Sequence, residues 1–209
     1  MNKIFAGFLV VLFLMATMSA CFSDRKNENL STDNEVLVLS DSIVNVYREQ
    51  GRFIAKSSFQ ALSSQLTGAI QTGGISYAVS FCNIEAVPII DSMTAAFNAD
   101  IKRVSEKNRN PDNSPDAFEE MLLDLFDQNL KNSGKANDTV LLDLNNKLVY
   151  AAPIHIAPQC LQCHGLIGAD ISDENNSIIK KLYPDDKATG YVSGDLRGIW
   201  RIRFESIEK

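Results

Sequence analysis

The chain has 209 residues, with 26 acidic side chains against 20 basic ones, a net charge of −6 and a hydrophobic share of 45%. That size and apolar content suit one domain with a core of its own. The acidic balance excludes electrostatic attraction to nucleic acid or to anionic lipid.

The first twenty residues read as an export signal. Lys3 supplies a positive start, Ile4 to Met15 is almost entirely apolar, and "MSAC" follows with small residues before Cys21. The run is too short for a spanning helix. It looks like a bacterial lipobox, so Cys21 is expected to carry lipid and to become the new N-terminus. Loss of residues 1–20 takes the basic count from 20 to 19 against 26 acidic, a net of −7. Residues 21–35, rich in Asn, Ser and Asp, read as a flexible tether, and 36–209 as the domain. The expected location is a lipoprotein facing the periplasm, touching a membrane only through its anchor.

Val36 to Ile70 has helical periodicity, with Leu39, Ile43, Val46 and Tyr47 followed by Leu62, Leu66 and Ile70. Gly51 is expected to bend or break it, and Thr72-Gly73-Gly74 to end it. Ile75 to Val87 reads as a second helix, stopped or kinked by Pro88. Ile101 to Val104 suits a short strand, and "NRNPDNSPD" a compact turn. Ser114 followed by Pro115 predicts a helix start, with the helix running to Leu130. Thr139 to Leu144 and Lys147 to Ile156 read as strands joined by a turn at Asn145-Asn146. A short helix is expected around Ile178 to Leu182, then the glycine-punctuated "GYVSGDLRG" and a last strand over Gly198 to Ser206. Helices first and a small antiparallel sheet later give an α+β domain.

The chemistry sits in "QCLQCHG". Cys160-Leu161-Gln162-Cys163-His164 matches C-x-x-C-H, the attachment signature of c-type haem. Two thiols at this spacing can form thioethers to the two vinyl groups of one porphyrin, and the following imidazole then ligates the iron from below. Such attachment happens outside the bacterial cytoplasm, in agreement with the export signal. A dithiol redox motif, a structural zinc site using His155 and Cys82, and a plain disulfide are the competing readings.

Cys82 remains over once Cys21, Cys160 and Cys163 have tasks. As a buried free thiol it would act as a small hydrophobe. On a helix, however, Ala78 and Ala86 flank it at i−4 and i+4, a small-residue face that lets a backbone approach a flat ring. A thiolate there would be an electron-rich sixth ligand favouring ferric iron. His155, Met93, Met121 and water are the alternatives. Arg103, Lys107 and Arg109 form a basic stretch in an acidic chain. Arg103 and Arg109 read either as contacts for haem propionates or as solvated charge paired with Glu106 and Asp112.

"FCNIEAVPII", "RVSEKNRNPDNSPDAFE", "YAAPIHIAPQCLQCHG" and "YPDDKATGYVSGDLRG", in that order over about residues 75–203, resemble the exported monohaem c-type family known as domain of unknown function 3365. The resemblance implies a PAS-like fold carrying one covalent haem c, with His164 proximal and Cys82 distal. In that family the domain occurs alone or as the sensing part of signalling proteins. No kinase or cyclase is expected in this chain, so a separate redox or signalling protein is the expected partner. The expected function is redox or gas sensing, or one-electron transfer, by a lipid-anchored cytochrome that is not an enzyme. Dissociation of Cys82 on reduction would open the iron to a small gas. A haem enzyme of peroxidase type and a haem-free interaction module are the alternatives.

Overall fold

The computed structural model describes residues 39–206. The export signal expected over 1–20, Cys21 and the tether over 21–35 lie outside the described residues. Within them the chain is the expected α+β domain, with long N-terminal helices and an antiparallel sheet.

Helix α1 (Asp41–Phe97) begins at Ser40, whose Oγ accepts from the Ile43 amide at 3.4 Å. Gly73 and Gly74 leave helical geometry, and Gly74 takes φ +69°, a region open to a residue without Cβ. The chain folds back there into two arms, 41–72 and 75–97. The proof is Phe53 against Phe97, ring centroids 5.8 Å apart; on an unbroken helix they would stand about 66 Å apart.

Two expected interruptions do not occur. The first arm runs straight through Gly51, because a Cβ there would lie 2.1 Å from the Tyr150 ring. That glycine serves close packing and not a bend. The second arm continues past Pro88 to Phe97. Pro88 and its neighbours Ile84 and Val87 are exposed, so the carbonyl freed by the missing N–H meets water and the break costs little. One stretch of α1 is long and apolar enough for a membrane span by composition. Some of α1's apolar side chains, Leu62 and Ile90 among them, pack on the sheet and line the cleft described below, while others such as Phe53 and Ile84 are exposed.

The strands are β1 (Ala99–Val104), β2 (Thr139–Leu142), β3 (Leu148–His155) and β4 (Leu196–Phe204). They lie in the order β1-β4-β3-β2, every neighbour antiparallel. The β2–β3 turn is set by Asp143, whose Oδ1 accepts from the Asn145 and Lys147 amides at 2.8 and 2.9 Å. Asn146 takes φ +57°, a conformation its short amide tolerates.

Helix α2 (Ala117–Ser133) starts two residues later than Ser114 and Pro115 predict. Asp116 is its cap, bonded to the Glu119 amide while Glu119 returns a bond to the Asp116 amide. That reciprocal box satisfies two amides where a serine would satisfy one. Two short helices complete the fold, α3 (Leu161–His164) and α4 (Asp173–Leu182).

Alternation along the strands builds two layers. Ile101, Trp200, Ile202 and Tyr150 face the α1 arms with Tyr47 and Ile54. Val104, Ile199, Val149 and Ala151 face α2, where Leu122 and Phe126 are buried. A smaller cluster of Val79, Ile171 and Ile179 fixes α4 to the second arm, with Ser76 Oγ donating to Asn175 Oδ1 at 2.9 Å.

Candidate functional site

Toward the start of β4 the α1 arms no longer rest on strand side chains, and the layer opens into a largely apolar cleft of about 450 Å³. Its walls bring together residues distant in sequence. Cys82 with Ala78 and Ala86 comes from the second arm, Arg103 from β1, Trp200 and Arg197 from β4, and Cys160, Cys163 and His164 from the C-x-x-C-H turn. The turn is helical, with Pro158 opening a 3-10 segment that leads into α3. Cys82, Cys160 and Cys163 are all free thiols, so the disulfide reading is not what is found.

The loop over 183–195 cradles this turn. The Tyr191 amide donates to the His164 carbonyl at 3.0 Å and the Gly190 amide to the Gly165 carbonyl at 2.8 Å. His164 Nδ1 donates to the Ala188 carbonyl at 2.7 Å. A carbonyl can only accept, so the proton is assigned to Nδ1 and the Nε2 lone pair is left toward the cleft. Burial, and then the positive fields of Arg197, Arg109 and Arg103, push the imidazole well below its ordinary value. The ring is therefore neutral and able to donate to a metal, with its second nitrogen fixed as in metal-bound histidines.

Burial also raises the thiols of Cys82 and Cys163, against the lowering effect of nearby guanidiniums. For Cys82 those are Arg103 and Arg109. The Arg103 side chain has no carboxylate partner and no hydrogen bond among the described residues, and burial followed by Arg197 lowers its pKa. A cation held in a cleft without a counter-ion favours an anionic ligand group. Arg109 lines the same cleft but is engaged elsewhere: Nε and Nη2 reach Asp186, and Nη2 donates to the Cys163 carbonyl at 2.7 Å.

His155 stands at the cleft edge, exposed, its Nδ1 3.3 Å from the Gly194 carbonyl. Among the described residues no three His, Cys, Asp or Glu side chains converge on a point that could hold a metal ion. A structural zinc site needs such convergence. A flat macrocycle bringing four nitrogens of its own needs only one or two axial donors, and Nε2 of His164 and the Cys82 thiol line the cleft.

Asp186, Ala188, Tyr191 and Arg197 escaped the sequence reading, which gave residues 183–189 no site role and took 190–198 as a connection. Their contribution is largely through the main chain or to it, and such contacts carry no residue signature. The pairing of an aspartate with Arg109 was open to suspicion from the charges in "YPDDK".

The family model described as Tll0287-like matches residues 24–204. No curated protein matches the chain. Among solved structures, the chain is similar to the one described as the crystal structure of the cyanobacterial heme-protein Tll0287. The two are 25% identical with a TM-score of 0.54, over 77% of this chain and 97% of that one.

Proposed function

Since the chain belongs to the Tll0287-like family, we propose that it is a monohaem c-type cytochrome, with thioethers at Cys160 and Cys163. His164 is the proximal iron ligand and Cys82 the distal one. It works outside the cytoplasm, held to a membrane through lipid on Cys21, in redox or gas sensing or in one-electron transfer to a separate protein.

The observation that carries this reading is the state of His164: Nδ1 tied to the Ala188 carbonyl, Nε2 unpartnered, in a cleft shared with both thiols of its motif and with Cys82. The similarity to a cyanobacterial haem protein supports it. Bound haem supplies an iron that exchanges one electron between its ferric and ferrous states.

The protein's own residues set the conditions. The apolar walls exclude water and strengthen every charge interaction inside. Cys82 would hold the group as a thiolate, its proton released to solvent, and Arg103 would offset the negative charge there. Arg103 is also the guanidinium left over for a propionate, while Arg109 serves the protein side of the site.

Protein matured with haem-attachment machinery should gain the mass of one tetrapyrrole, and Cys160→Ser with Cys163→Ser should abolish that gain. Absence of the added mass in the wild type rejects the reading. Cys82→Ala should replace a low-spin thiolate spectrum with a different one, and an identical spectrum would return Cys82 to packing. A peroxidase-type enzyme is the second reading, favoured by one observation: Arg103 lies in the cleft beside Cys82, and peroxidases use a distal acid–base group. Turnover with peroxide and a reducing dye separates the two.

A further inference from the structure

The contacts of Arg109 give it a task beyond charge. Nε and Nη2 each donate to one Asp186 oxygen at 3.1 Å. Nη2 also donates to the Cys163 carbonyl at 2.7 Å and lies 3.4 Å from the Ala188 carbonyl. Asp186 Oδ1 accepts from the Ala188 amide at 2.9 Å. Ala188 is the residue whose carbonyl takes the proton of His164 Nδ1. One guanidinium thus grips the residue before His164 and, through Asp186, the residue that aims its ring.

We propose that Arg109 and Asp186 form a clamp that fixes the ring orientation of His164, both acting as positioning residues for the proximal ligand. The inference rests on the haem reading above. Three points of the geometry carry it. The pair is two-pronged, which fixes direction as well as distance. Its side chains are only 13% and 6% exposed, so water competes weakly for the bonds. The clamp also joins two segments, α3 and the 183–195 loop, that otherwise meet through the Tyr191 and Gly190 amides and the His164 ring. Without it the Ala188 carbonyl is free to drift, and the ring turns with it.

Lysine supplies the same charge as a point and cannot span both carboxylate oxygens and two carbonyls at once. Substitution by lysine therefore separates orientation from charge. The test uses the full chain loaded with haem, as wild type, Arg109→Lys, Arg109→Gln and Asp186→Asn. The ferric electron paramagnetic signal reports ring orientation, and deuterium exchange of the His164 Nδ1 proton, read by nuclear magnetic resonance, reports the bond to Ala188.

All three variants, lysine included, should broaden or split the ferric signal and exchange that proton about tenfold faster, in the range of outer-shell effects on metal sites. An Arg109→Lys protein identical to wild type in both readouts would leave only charge and overturn the clamp. So would an unchanged Asp186→Asn, which keeps size and the acceptor for the Ala188 amide and carries the test should the arginine variants fail to fold. A wild type that gains no haem rejects the reading of the site itself, a distinct result from haem present with unchanged variants.

Discussion

Lys102 and Arg103 are neighbours on β1 and point to opposite faces of the sheet, and the two faces treat charge in opposite ways. On the α2 face Glu119, 1% exposed, accepts from Lys102 Nζ at 2.9 Å and from Arg201 Nε at 3.0 Å. Arg201 also donates to the Asp100 carbonyl. Every charge there has a partner within the chain. On the other face, among the described residues, Arg103 has none, Cys82 is a free thiol, and His164 presents an unpaired nitrogen. A saturated network stabilises a fold, whereas an unsaturated one at the end of a core calls for a ligand.

Glu119→Ala breaks the saturated side and should have the largest effect. It removes the buried carboxylate shared by Lys102 and Arg201 and leaves Arg201 with Asp100 alone, a loss of about 3 kcal/mol, measurable by denaturant unfolding. Gly51→Ala tests whether the arm-facing layer is close-packed where it is closed. The added methyl meets the Tyr150 ring, which should cost about 1–3 kcal/mol.

Asp143→Asn probes the turn that joins β2 and β3. Burial pushes this carboxyl up, but the amides of Lys147 and Asn145 and the Arg203 guanidinium outweigh it and hold it below 3.8. The folded value lies under the unfolded one, so its stabilisation is complete above pH 3.8 and fades as pH falls through the folded value. The variant should lose about 1 kcal/mol at neutral pH, and the gap to wild type should close in acid. Arg103→Gln should be the mildest change in protein without haem, costing less than about 0.5 kcal/mol. With haem attached it should weaken retention of fold on heating, and equal effects in both forms would end the contrast between the faces.

The same contrast explains what the sequence could reveal. The C-x-x-C-H turn, the chain reversal at Gly73-Gly74 and the four strands are local patterns, and each stands where periodicity and turn chemistry put it. Gly51 and Pro88 misled because their effect depends on what lies outside the helix, the Tyr150 ring in one case and water in the other. Ser114 misled because the neighbouring Asp116 offered a stronger cap. Cys82 was legible as a residue without a task, and its small neighbours Ala78 and Ala86 do line the cleft. The clamp of Arg109 and Asp186 was hidden because its targets include carbonyls 54 and 79 positions beyond Arg109, and carbonyls look alike in every sequence.

Tyr47 near the start of the described chain donates to the carbonyl of Ser206 near its finish, at 3.2 Å. Both stand beside Phe204, whose ring meets Tyr47 at 4.7 Å. The cleft lies toward the other end of β4, where Arg197, Gly198 and Trp200 line it; Arg197 stands about 23 Å from Phe204 at the rise of an extended strand. The two ends of the described chain thus meet at one end of β4, and the cleft opens along the other.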